Sequence, residues 1–402
     1  MDHVVFISHD ANRTGAPIVL VHLLRWLKRQ QVLDFSIVLL RGGELQSEFS
    51  ALAPTYIWQE PIPDRPPTIA RRAWNRIQRI VKPIGDTPSP HQQFIISELY
   101  SKKPALIYAN TVVASEIAVR LKKELHCAAV CHVHELRMAI EGYFGTARFG
   151  TLLPHFDLII AASEAVKANL LATYPVEIAK VVKVYEFIAK PQEPANPAAT
   201  VVHIRKSLNI PDNAFIVAAS GTYEWRKAPS LFIQIADYTR RHFGVMPYFV
   251  WIGGSPESET GRELQFDIDQ LDLTEYVKFI GSHPNPLDYL LSAELFVLTS
   301  REDPYPLVCL EAAALAKPVL CFAQSGGMPE FVEADCGCVV PFLQTDLMAH
   351  AIQDLLLQTD KRYQLGRNAQ VKVQSQHSVE VAGQQIVKLI GQLLDQGSSS
   401  AA

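Results

Sequence analysis

The chain has 402 residues, 48% apolar and 19% charged, too long for one ordinary core and too apolar for disorder, so about two globular domains are expected. At a net charge of −4 no nucleic acid is expected as a partner, and no stretch reaches the roughly 18–20 uninterrupted apolar residues of a membrane-spanning helix. Cys127, Cys131, Cys309, Cys321, Cys336 and Cys338 mostly sit in apolar segments, and Val4–Ile7 is too short for a secretory leader, so a reduced, cytoplasmic protein is expected. The small net charge hides an asymmetry: residues 1–190 carry 22 Lys and Arg against 17 Asp and Glu, the remainder 15 against 24.

In chain order, HVVFIS (3–8) reads as a strand, 16–30 as an amphipathic helix and FSIVLL (35–40) as a strand. Residues 60–95 form a proline-rich excursion. Within it RRAWNRIQRIVK (71–82) sets a cationic face opposite Trp74, Ile77, Ile80 and Val81, which fits a surface helix and would also suit contact with an anionic membrane, placing the protein peripherally at the inner face of the plasma membrane. ALIYAN (105–110), AAVCHVH (128–134) and LIIAAS (158–163) continue the alternation of strand and helix. The pattern restarts with FIVAASG (215–221), a helix over 229–242, YFVWIGG (248–254), VKFIG (277–281), LFVLTS (295–300), a helix over 307–315 and PVLCF (318–322). Two doubly wound parallel α/β domains follow, over 1–190 and 201–375. Residues 191–200 form a proline-rich linker, 376–396 a last helix, and 397–402 a disordered tail.

In such sheets ligands sit beyond the carboxyl ends of the strands, where helix N-termini offer unpaired N–H groups. SREDPYPLVCLEA (300–312) fits that place. Its charged trio follows a strand, Pro306 suits a first helical turn, and Glu311 is expected two turns into the next helix among apolar neighbours, where ligand hydroxyls would satisfy it. A helix-capping acid and a salt-bridged Glu would be the plain structural account. At SGTYEWRKAP (220–229), Arg226 and Lys227 follow a strand and precede a helix, a place for a diphosphate, or two merely solvated charges beside Trp225. The histidines and cysteines of 126–134 would alternate across a strand, so no metal site is expected there. Cys336-Gly337-Cys338 reads as a turn.

These motifs together, over nearly the whole chain, resemble the retaining nucleotide-sugar glycosyltransferases of family four. The resemblance implies a GT-B fold, two doubly wound Rossmann-like domains facing a central cleft, with the first domain on the acceptor side and the last helix crossing back to it. It also implies roles: Asp303, or its neighbour Glu302, for the donor sugar; Glu311 for the ribose; Arg226 and Lys227 for the leaving diphosphate; and His134, in CHVHEL, for the reacting sugar. Gly15, Gly221, Thr222, Gly254, Pro306, Leu307 and Val308 would complete the donor site, with Gly326, Gly327 and Glu330 of the Gly-Gly-x-Pro-Glu turn beside them. The family form is modified here: Asp303 stands for Glu, Ala228 for Gly, a single Gly15 for a glycine pair, and Glu186-Phe187 for Asn-Gly. The implied reaction moves a sugar, with retention, from a nucleoside diphosphate sugar to a hydroxyl of a saccharide or lipid-linked saccharide acceptor. UDP-sugar is the first expectation and GDP- or ADP-sugar the next, without a metal cofactor. The other classes left open are a sugar-nucleotide epimerase or hydrolase of the same fold, and a non-catalytic nucleotide-sugar-binding protein.

Overall fold

The computed structural model describes residues 1–59, 87–192 and 194–400; the segment 71–82 lies outside them. The chain divides into two compact units, Met1–Val184 with Gly383–Ala402, and Tyr185–Ala382.

The first unit is a seven-stranded parallel sheet in the order β3-β2-β1-β4-β5-β6-β7. Its strands are β1 (His3–Ser8), β2 (Asp34–Leu39), β3 (Thr55–Ile57), β4 (Leu106–Asn110), β5 (Ala128–Val133), β6 (Leu158–Ala161) and β7 (Val181–Lys183). The second is a six-stranded parallel sheet in the order β10-β9-β8-β11-β12-β13. It is built from β8 (Ile216–Ser220), β9 (Tyr248–Ile252), β10 (Val277–Phe279), β11 (Leu295–Leu298), β12 (Val319–Phe322) and β13 (Gly337–Val340). The central strands are largely apolar on both faces because helices cover both sides of a parallel sheet, with polar residues such as Ser8, Asn110 and Ser220 at their carboxyl ends. In the second unit this shows as two cores of alternating residues. Ile216, Ala218, Val250, Ile252, Phe296 and Leu298 point to one side, and Val217, Ala219, Phe249, Trp251 and Val297 to the other.

Strand order reverses between β1 and β4 in the first sheet and between β8 and β11 in the second. Those two switch points are where a doubly wound sheet opens a crevice for ligand.

Four expectations are corrected. Gly337 and Cys338 are not a turn but open edge strand β13, in register with Val319 and Leu320. A Cβ on Gly337 would lie 1.7 Å from the Val319 carbonyl oxygen, so only glycine lets this strand approach. Residues 197–200, expected in the linker, begin the helix Pro197–Ser207, with Pro at its start and Asn196 Oδ1 accepting from the Ala199 N–H at 3.0 Å. Pro306 stands at the N-cap, one residue outside the helix Leu307–Ala314, which puts Glu311 little more than one turn in. The last helix, Val379–Ser400, continues through residues expected in a disordered tail. Gly383 marks its passage into the first unit, where a Cβ would meet the Trp26 ring at 2.6 Å.

Candidate functional site

At the β8/β11 switch point the second unit gathers three charges. β8 ends at Ser220, and the loop after it carries Arg226 and Lys227. β11 ends at Leu298, and the loop after it carries Asp303. Lys227 Nζ lies 2.6 Å from Asp303 Oδ2, and an Arg226 Nη lies 3.4 Å from Asp303 Oδ1. The Ser300 hydroxyl donates to Asp303 Oδ2 at 3.0 Å. Asp303 is 4% exposed. Burial works against its charge, but the two cations and the hydrogen bonds from Lys227 and Ser300 outweigh it and hold the carboxyl below its ordinary range. The pair is therefore not a set of solvated charges, and Asp303, rather than capping a helix, is an ionised acid buried between cations.

The backbone is stitched to hold this geometry. The Arg301 N–H donates to the Arg226 carbonyl at 2.8 Å, the Thr299 hydroxyl to the Lys227 carbonyl at 2.9 Å, and an Arg226 Nη to the Glu302 carbonyl at 3.2 Å. So Glu302 contributes its carbonyl, while the neighbouring Asp303 carboxylate meets the cations. Gly221 leaves room for the Lys227 stem: a Cβ there would lie 3.0 Å from Lys227 Cγ and Cδ. The Gly326–Gly327 turn joins the same group. The Asp303 N–H donates to the Ser325 carbonyl at 2.7 Å and the Gly327 N–H to the Asp303 carbonyl at 3.3 Å. Glu330 sits in the first turn of the short helix Met328–Val332.

Glu311 is half-buried, and its carboxylate has no salt bridge or hydrogen bond within the described residues. Burial alone pushes it up to about 7. Cys309, fully buried, lies on the same helix two residues before Glu311. Leu307 and Val308 are partly buried at the start of the helix that carries Glu311. Thr222 is exposed in the β8 loop. Gly254 follows β9 with φ +77, and a Cβ there would strike the Tyr223 ring at 2.4 Å.

The first unit has its own polar cluster at the β1/β4 switch point. Gly15 opens the helix Gly15–Gln30 after β1. Asn110, ending β4, spans the reversal by donating from Nδ2 to the Ala16 carbonyl at 2.9 Å, while its Oδ1 lies 3.0 Å from His134 Nε2. With Nδ2 engaged by a carbonyl, Oδ1 is the acceptor and His134 Nε2 the donor. The Glu135 carboxylate accepts from the His134 N–H at 2.9 Å and the Val112 N–H at 3.4 Å. Thr111 between these elements has φ +119, unusual for a β-branched residue. His134 and Gly15 belong to this cluster; the other residues expected at the site belong to the second unit.

Residues 202–372 match the family model described as glycosyl transferases group 1. Among known proteins, the chain is 27% identical over 192 residues to the D-inositol 3-phosphate glycosyltransferase of Corynebacterium urealyticum, covering 46% of this chain and 45% of that one. It is 27% identical over 179 residues to a GDP-mannose-dependent alpha-(1-6)-phosphatidylinositol monomannoside mannosyltransferase of Mycobacterium tuberculosis, covering 42% and 45%. The match thus spans less than half the length of these relatives. The crystal structure of Anabaena Alr3699/HepE in complex with UDP and glucose superposes with a TM-score of 0.77 at 18% identity, over 96% of this chain and 99% of that one. The likeness shows the fold: two Rossmann-like domains of the GT-B type.

Proposed function

We propose that the protein, whose residues 202–372 match the group 1 glycosyltransferase family model, transfers a sugar from a nucleoside diphosphate sugar to a hydroxyl of a saccharide or lipid-linked acceptor, with retention at the anomeric carbon. The observation that carries this reading is the buried Asp303 held between the half-buried Lys227 and Arg226 at the strand-order reversal. A diphosphate bound there gains charge on its leaving oxygen as the glycosidic bond breaks, and a fixed ammonium and guanidinium stabilise that charge. Glu311 accepts hydrogen bonds from the ribose hydroxyls, and Asp303 with the Gly326–Gly327 turn holds the donor sugar. The acceptor oxygen bonds to the anomeric carbon on the face the phosphate leaves, and the leaving phosphate oxygen takes the acceptor proton. No enzyme nucleophile is then needed.

The relatives' names, a mannosyltransferase dependent on GDP-mannose among them, and a structural neighbour holding UDP and glucose support a nucleotide-sugar donor. UDP-sugars are the first candidates and GDP- or ADP-sugars the next. With two cations on the diphosphate, the reaction is proposed to run without a metal. A calorimetric screen of nucleoside diphosphate sugars, followed by a release assay on the binder, tests the class. In that assay Lys227→Ala lowers turnover by about 10² or more, and EDTA leaves the wild-type rate unchanged. A folded Lys227→Ala variant at full rate would remove this lysine from the mechanism.

A further inference from the structure

The loop that carries the two cations also carries an unusual aromatic. Trp225 is 60% exposed, whereas Trp26, Trp58 and Trp251 are at most 5% exposed. Delivering Arg226 and Lys227 to Asp303 requires no large apolar side chain at this position, and an indole left in water forfeits the burial that usually stabilises it. Nor is the residue loosely held. An Arg301 Nη donates to the Trp225 carbonyl at 2.9 Å, and the Arg301 guanidinium lies over the indole, 5.4 Å from the ring centroid. The Arg301 N–H is itself tied to the Arg226 carbonyl at 2.8 Å. The ring is thus oriented before any ligand arrives, which lowers the ordering cost of binding to it.

The chemistry points to one class of ligand. The indole face turned away from Arg301, electron-rich and flat, is complementary to the weakly positive axial C–H groups of a pyranose ring, and the guanidinium at its edge offers donors to the ring's hydroxyls. We propose that Trp225 is a stacking platform for a pyranose ring at the rim of the diphosphate-gripping loops, with Arg301 as its positioning residue. The location rests on the function proposed above; the stacking chemistry does not. The ring belongs either to the donor's own sugar or to the acceptor.

Tryptophan emission and acrylamide quenching of the full chain decide this, titrated in separate arms with UDP, GDP and ADP, with their glucose or mannose conjugates, and with methyl glucoside and methyl mannoside. A pyranose-bearing probe is expected to blue-shift and protect an exposed indole, while the free diphosphates do not, and the change is absent from Trp225→Phe. Trp225→Ala raises the Kd or KM for that probe about tenfold with little change in kcat, and Trp225→Tyr restores most of the loss. A response to the sugar nucleotide alone assigns the platform to the donor sugar, and one to the glycosides assigns it to the acceptor. A response to a free diphosphate as large as to its sugar conjugate would mean base stacking and overturn the proposal. So would calorimetric binding of the nucleotides with no change at Trp225 in any arm, an outcome that leaves the diphosphate site standing. A glycoside response without nucleotide binding keeps the platform and removes the glycosyltransferase reading.

Discussion

Glu311 is a carboxyl group whose surroundings favour its protonated form, and the consequence for pH has a definite sign. Between its ordinary range near 4.5 and about 7 the folded protein holds a proton that the unfolded chain has lost. Stability therefore falls as pH rises through that window. Glu311→Gln should flatten this slope, and thermal melts at pH 5 and pH 8 check it: the variant gains on the wild type only at the higher pH. Equal gains at both would mean that burial of the charge is not the cause. A ligand whose hydroxyls need the carboxylate form pulls the proton off on binding, a release that calorimetry in buffers of different ionisation enthalpy would register. At this scale the sequence is readable where chemistry follows a strand end, as it does for Arg226, Lys227 and Asp303. What it does not show is which acid meets the cations, because Lys227 and Asp303 stand 76 residues apart and only the sheet order joins them. The Ser300 hydroxyl and the Arg301 clamp on Trp225 are hidden for the same reason.

Among the elements, the helix Pro229–His242 begins with a backbone conformation unfavourable to its sequence. Ala228 at its N-cap has φ 54 and ψ 55, the left-handed region, and is 1% exposed. That conformation costs an L-residue about 1–2 kcal/mol. It persists because the Ala228 N–H donates to the Glu224 carbonyl at 2.9 Å, closing the turn that delivers Lys227. Ala228→Gly should relieve the strain, offset in part by a lost buried methyl and a more flexible unfolded chain, for a net gain of at most about 1 kcal/mol. Denaturant unfolding measures it, and a loss of stability would show that packing of the methyl outweighs the strain. Long, largely apolar strands and the amphipathic helix over 229–242 are evident from their patterns. The edge strands β3, β7 and β13 are not: three or four partly buried residues leave too short a period to read, and β10, equally short, is found only within the longer apolar run VKFIG.

For the whole molecule, the restart of the strand-helix pattern announces two doubly wound sheets, while the order of strands within each comes only from tertiary pairing. The charge asymmetry between the halves is read from the sequence, and the cationic stretch 71–82 lies outside the described residues. Among those residues no helix is long and apolar enough to cross a membrane. If the acceptor is lipid-linked, the basic first half would bring the protein to it: binding to vesicles of anionic lipid should be measurable by co-sedimentation at low salt and fall steeply as salt rises. No binding at low salt would dismiss the membrane contact.

The carboxylate of Asp303 stands, before any donor arrives, where a phosphate oxygen would otherwise neutralise Lys227 and Arg226. In the reaction proposed above it would serve as a resident counter-ion, keeping both cations in place and then ceding them to the incoming anion. Once the sugar has departed, the same acid would compete with the spent nucleotide for its partners and hasten its exit. Asp303→Asn should therefore retain free nucleoside diphosphate more tightly while turning over more slowly, so that product inhibition deepens; weaker retention of the diphosphate by a folded variant would contradict this exchange of anions.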